Sequence, residues 1–188
     1  MTDVYKTCPT FENDPYLLRL IEEGDAGDLL EVYSDKNALP FFNSDNCHGD
    51  NFYYPTAGRM REAVNFWISS YQNRWFVRFT IVDKAAAKAI GTIELFHRDA
   101  DDAFGSTGVL RLDVGSSHER EDVLFNIVSL ITPPAFELFY CGRIITKAPI
   151  YAVERIRALQ RAGFTRSEHL MTSADNGCTY DGYWEIAK

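Results

Sequence analysis

The sequence predicts a mixed α/β domain, an α+β sheet with helices packed on both faces. Three observations carry this. Segments with strand-like alternation and segments with helical spacing succeed each other along the chain, no segment repeats, and no Gly/Ser- or Pro-rich linker divides it. At 188 residues, with 46% hydrophobic and 14% aromatic residues, one packed core over 1–188 is the simplest expectation.

Residues 16–25, YLLRLIEEGD, open as an alternating strand with Leu18 and Leu20 on one face, then turn. Asp25 stands where it would cap a helix over 26–35. The stretch 39–58 is a long loop rich in Asn, Asp and aromatics, and such loops inside compact domains tend to be functional. A helix is expected over 59–74, striped by Met60, Val64, Trp67 and Ile68. Strands follow over 75–84 and 89–98, then an acidic, solvated turn over 99–108, then a strand over 109–115. Ser116 and Glu119 fit a capping box ahead of the apolar run Val123, Leu124, Ile127 and Val128. Pro133 and Pro134 should break that helix and start a short second one over 133–139. A strand over 141–149, a helix over 150–162 ended by Gly163, and a hairpin of 167–172 with 179–188 around 173–177 complete the reading.

A formal charge of −8 and a pI near 5.0 argue against nucleic acid or an anionic membrane as partner. The first fifteen residues lack the basic and apolar regions of a secretion signal, and no apolar run approaches the roughly 20 residues of a membrane span. A soluble, cytoplasmic protein is expected. Cys8, Cys47, Cys141 and Cys178 are far apart and read as free thiols, and no metal is expected, Asp45, His48 and Asp50 included.

The ordered set "YLLRLIEEGDAGDLLEVYSD", "AIGTIELF" and "ERIRALQRAGF" resembles the GCN5-related N-acetyltransferase (GNAT) superfamily, especially its ribosomal-protein-alanine-acetyltransferase-like branch. The resemblance spans Tyr16 to the end and implies about seven strands with acetyl-CoA bound in a V-shaped opening between the fourth and fifth. It implies cofactor contacts at Leu112 and Val114 on the strand and at Ser116, Asp122 and Val123 in the following loop, and if coenzyme A is kept, Arg120 in the loop, Arg143 and Lys147 on the next strand and Arg155 on the next helix are the cations that could meet it. The family's Arg/Gln-x-x-Gly-x-Gly/Ala loop would fall on 119–124, which here reads EREDVL. Carboxylates stand where N–H groups should meet a pyrophosphate, so the phosphate loop is degenerate. Leu159 also stands where many relatives carry a tyrosine acid.

If acetyl transfer occurs, the implied route is direct, from acetyl-CoA to a primary amine of a small molecule or a protein N-terminus. Glu94 and Asp113 are the candidate bases, and the general acid is absent, water, or a tyrosine from another place such as Tyr151 or Tyr183. Asp113 can instead pair with Arg111 two residues away on its strand face. Phe41, Phe42, Asp45 and Tyr53, together with Phe52, Tyr54, Asn43 and Asp50, are candidate acceptor-pocket residues with an acidic rim suited to an amine. The alternatives are a catalytically degenerate binding or interaction protein of the same fold, and a homodimer built on Tyr180, Tyr183 and Trp184.

Overall fold

The computed structural model describes residues 3–173 and 176–188. In chain order the strands are β1 (Phe11–Glu12), β2 (Tyr16–Leu20), β3 (Val77–Asp83), β4 (Lys88–Arg98), β5 (Thr107–Val114), β6 (Arg143–Lys147), β7 (Thr165–Arg166), β8 (Met171–Thr172), β9 (Thr179–Tyr180) and β10 (Tyr183–Ala187). The helices are α1 (Ala26–Tyr33), α2 (Ala57–Gln72), α3 (Glu121–Leu138) and α4 (Val153–Arg161). Among the described residues, the main sheet has 8 strands in the order β1-β2-β3-β4-β5-β6-β10-β7, close to the seven expected. β8 and β9 form a separate two-stranded arm.

Among the described residues, only the β5–β6 pair in the main sheet is parallel, and it is short, running from Gly108 opposite Ile144 to Leu110 opposite Thr146. Beyond Leu110 the two strands part, while β5 stays paired with β4 as far as Val114. The sheet therefore forks along residues 111–114. One face carries Phe79, Ile81, Ile93, Leu95, Leu110 and Leu112 against α3 and α4. On the other lie α1 and α2, packed through Leu29, Val32, Met60, Val64 and Trp67.

Several local expectations are revised. Helix α3 runs straight through Pro133 and Pro134 instead of breaking. Pro133 lies on the exposed side and Pro134 is half-buried, so neither ring enters the core face of the helix. The inner side buries Leu124, Ile127, Val128 and Ile131, worth roughly 1.5–3 kcal/mol each against about 3 kcal/mol for an interior proline. Asp25 makes no cap bond to α1, and instead accepts from the Glu22 amide at 2.9 Å in the 3-10 turn before it. Its carboxylate turns to the sheet, bound by Arg19 at 2.5 Å and Thr80 at 2.6 Å. The turn expected over 173–177 includes positions 174 and 175, outside the described residues. Tyr183 and Trp184, expected at a dimer contact, are buried within the chain's own packing.

The stretch 99–106 is not simply solvated. Arg98 donates to Asp102 at 2.6 and 2.7 Å, and Asp102 also accepts from the Phe104 and Thr172 amides at 2.9 and 3.0 Å. Those bonds, led by Arg98, outweigh burial and bring the Asp102 carboxyl down from 3.8 to about 2. A lowered pKa means the clamp is intact above the ordinary value and lost as pH falls toward about 2. The Thr172 amide resonance should titrate in that window, and Asp102→Asn should abolish the transition. No movement of that resonance would mean that Asp102 does not hold the β8–β9 arm.

Candidate functional site

Alternation along three neighbouring strands places polar side chains on the α1/α2 side of the sheet while their neighbours enter the opposite core. Register then aligns them in rows. Arg78, Glu94 and Arg111 lie directly across β3, β4 and β5, and Thr80, Thr92 and Asp113 form the next row. Such cross-strand neighbours interact as the sheet's pairing units. Glu94 is bound at one oxygen by Arg78 and at the other by Arg111 at 2.5 Å. Arg78 Nη1 also donates to Thr92 at 3.0 Å and to the Tyr33 hydroxyl at 3.2 Å. Tyr33 lies 2.8 Å from Thr92 and donates to Asp113 at 3.1 Å.

All of these charged groups are buried. Burial alone would raise the Glu94 carboxyl, but the two guanidiniums outweigh it and hold the group below the ordinary carboxylate value. Asp113 behaves oppositely. Burial dominates over Arg78 and Arg155, so its carboxyl lies above the ordinary value. The expected Arg111–Asp113 pair does not form, because register puts Glu94 directly opposite Arg111.

The row Arg78–Glu94–Arg111 floors a cavity of about 710 Å³, within the roughly 300–1,000 Å³ typical of ligand pockets. Its walls include Phe52, Tyr54, Trp67, Phe76 and Phe96, with Phe66 and Trp75 more than half exposed at the mouth. The Arg78 guanidinium lies 4.0 Å from the Trp67 ring centroid and Arg111 5.2 Å from that of Phe96. Arginine charge and aromatic faces attract in this arrangement.

At the fork the chain fills its own space. Arg155, from α4, reaches back to donate to the Leu112 carbonyl at 2.8 Å and the Phe41 carbonyl at 3.2 Å. Its Nε and Nη2 grip Glu119 at 2.7 Å each. The two side chains are 3% and 6% exposed, a buried bidentate pair. The expected capping box is absent, since Glu119 is spent on Arg155 and α3 begins only at Glu121. The Glu121 amide is held at 2.9 Å by Glu154, and the Ser116 amide at 3.0 Å by Asp35.

Acetyl-CoA does not fit these residues as they stand. Its pantetheine would need the β5 backbone where Arg155 is bonded to the Leu112 carbonyl, and in the 119–124 loop where its pyrophosphate would sit the Glu121 amide is already given to Glu154. Three carboxylates, Asp35, Glu119 and Glu154, would meet its charge.

The remaining candidates divide between the two places. Leu112 and Val114 are buried on the fork strand and Val123 beneath it, while Arg120 and Asp122 pair with each other in solvent at 2.9 Å. Tyr183 does face the cavity, but its hydroxyl donates to Asp45 at 2.8 Å, and burial followed by Asp45 pushes it well above the ordinary tyrosine value. Asp45 is held again by Lys147 at 2.7 Å. Of the loop aromatics, Phe52 and Tyr54 line the cavity. Phe41 instead packs edge-on against Tyr151 and Phe42 lies tilted against Tyr33, while the Tyr53 amide closes a local turn on Asn51. Sequence reasoning passed over Arg78, yet the signal was present: in "VRFTI" the alternation gives Arg78 and Thr80 one face and Val77, Phe79 and Ile81 the other.

No metal-ligand cluster of three or more His, Cys, Asp or Glu occurs among the described residues, and no helix among them is long and apolar enough to cross a membrane. By sequence, no family model and no curated protein matches the chain. By structure, it superimposes on a GNAT-family acetyltransferase from Bacillus anthracis with a TM-score of 0.68 and 15% identity, over 95% of this chain and 98% of that one. It also matches the ribosomal-protein-S5-alanine acetyltransferase of Vibrio fischeri, with a TM-score of 0.67 and 17% identity over 96% of each chain. A GCN5-related N-acetyltransferase from Brucella melitensis matches at 0.69 and 16% identity, over 95% of this chain and 78% of that one. The forked mixed sheet, flanked by α1 and α2 on one side and α3 and α4 on the other, is thus the fold of the GCN5-related N-acetyltransferases.

Proposed function

We propose that this chain uses the acetyltransferase fold as a ligand-binding frame, with the cavity floored by Arg78, Glu94 and Arg111 as its working site. The observation that carries this is the Arg155–Glu119 pair seated on the Leu112 carbonyl. In this reading the fork is a structural joint, closed by an ion pair of the chain itself. The aromatic cavity, open at the mouth, remains as the place where a small molecule can bind. A cytoplasmic location and free thiols belong to the same reading.

Acetyl transfer from acetyl-CoA to a primary amine of a small molecule or a protein N-terminus is the second reading. The retained fork between β5 and β6 favours it, as do the acetyltransferases that share the fold. It requires Arg155 and Glu119 to leave the fork together.

Calorimetric titration with acetyl-CoA separates the two. No heat and no thermal stabilisation at millimolar cofactor is the expected result. Micromolar binding with 1:1 stoichiometry would overturn the first reading and establish the fork as a remodelled cofactor site.

A further inference from the structure

The charged side chains of the cavity already answer one another. Glu94 lies between Arg78 and Arg111 and is bound to both, and Asp113 stands 3.6 Å from Arg78. Nearer the mouth, Arg59 donates to Asp50 at 3.0 Å and Arg98 to Asp102 at 2.6 Å. Asp99 and His48 belong to the lining but are exposed to solvent. The tyrosine hydroxyls are spent as well, Tyr54 donating to Asp50 at 3.0 Å and Tyr183 to Asp45 at 2.8 Å.

The aromatic rings of the wall carry cations of the chain's own. Arg78 lies 4.0 Å from the Trp67 centroid, 5.6 Å from that of Phe52 and 5.8 Å from that of Phe76. Arg59 lies 4.7 Å from that of Tyr54 and Arg111 5.2 Å from that of Phe96. A cage of rings attracts one cation, and here arginine supplies it. What remains for a ligand is apolar. Phe66 and Trp75, 54% and 60% exposed with ring centroids 6.4 Å apart, stand at the mouth as apolar area that a bound molecule can cover.

We infer that the cavity takes a neutral, apolar ring compound and discriminates against ligands that carry a charge of either sign. The inference rests on the ligand-binding reading above. An anion would have to displace Glu94 or Asp50 from its arginine, and an ammonium would meet carboxylates already bound by guanidinium. Burying an ion without a partner is costly, whereas a ring entering this wall gains burial and edge or offset contacts.

Three probes of one shape test this on the whole protein: 2-naphthylmethanol, 2-naphthoate and 2-naphthylmethylamine. Binding is read by calorimetry and by the thermal midpoint. The neutral alcohol should bind about tenfold or more tightly than either ion. Phe66→Ala with Trp75→Ala removes only exposed rings. That variant should keep the parent's unliganded midpoint while its affinity for the alcohol falls about fivefold or more. An unchanged affinity would place the alcohol elsewhere and overturn the inference. So would a charged probe that matches or outranks the alcohol, or no response from any probe. The wild-type ranking decides the matter even if the variant does not fold. If acetyl-CoA also binds while the alcohol ranks first, the closed-fork reading fails and the inference stands. If acetyl-CoA does not bind and a charged probe ranks first, the inference alone fails.

Discussion

Glu94→Gln is expected to lower the free energy of unfolding by about 3–5 kcal/mol, the cost of removing one partner from a buried charge cluster. The replacement keeps the side chain's shape, removes its charge and turns one of its two acceptor oxygens into an NH2 donor that faces an arginine. Arg78 and Arg111 would then lie buried with two positive charges and no anion between them. Asp113 compensates poorly, because it lies 3.6 Å from Arg78 and its own burial favours the neutral form. A loss of this size is a large share of the roughly 5–15 kcal/mol that stabilises a typical domain. Urea denaturation should show a lower midpoint with an unchanged slope. A variant as stable as the parent would mean that water reaches the row. The acid limb follows the same logic. Glu94 has a lowered pKa, so its contribution is present above the ordinary carboxylate value and is lost only below it.

Arg155→Met should be comparably costly, about 3–5 kcal/mol, because it strands the Glu119 carboxylate inside the protein. It also removes the donors that satisfy the Leu112 and Phe41 carbonyls. The double replacement Arg155→Met with Glu119→Leu should recover most of that loss, since hydrophobic residues of similar volume often replace a buried pair without penalty. A double-mutant cycle by urea denaturation measures the coupling. Two single losses that simply add would show that the pair is not a unit, and the fork would then be easier to open than its geometry suggests.

Element types were largely legible in the sequence because alternation and helical spacing survive without tertiary information. Met60, Val64 and Trp67 striped α2 as expected and are buried, and Gly163 ends α4 in the left-handed region at φ 91°. Local rules failed where a distant partner outbid a near one. Asp25 leaves α1 uncapped and binds Arg19, Thr80 and the Glu22 amide, and Glu119 turns from Ser116 to Arg155, 36 positions away. The prolines of α3 were misjudged because their outward direction depends on where the sheet lies. At the site, the loop composition pointed to Phe52 and Tyr54. The arginine floor escaped notice because a charge inside a strand gains its meaning only from register with two other strands.

That register also limits how the sequence can drift. Three charges on three strands form one electrostatic unit, so their replacements are not independent in ancestry. Loss of Arg111 leaves a neutral Arg78–Glu94 pair and is an accessible first step. Loss of Glu94 first strands two cations, and loss of Arg78 first removes the bonds to Thr92 and Tyr33 as well. Descendants of this chain should therefore shed the row from the β5 side inward, or exchange it whole.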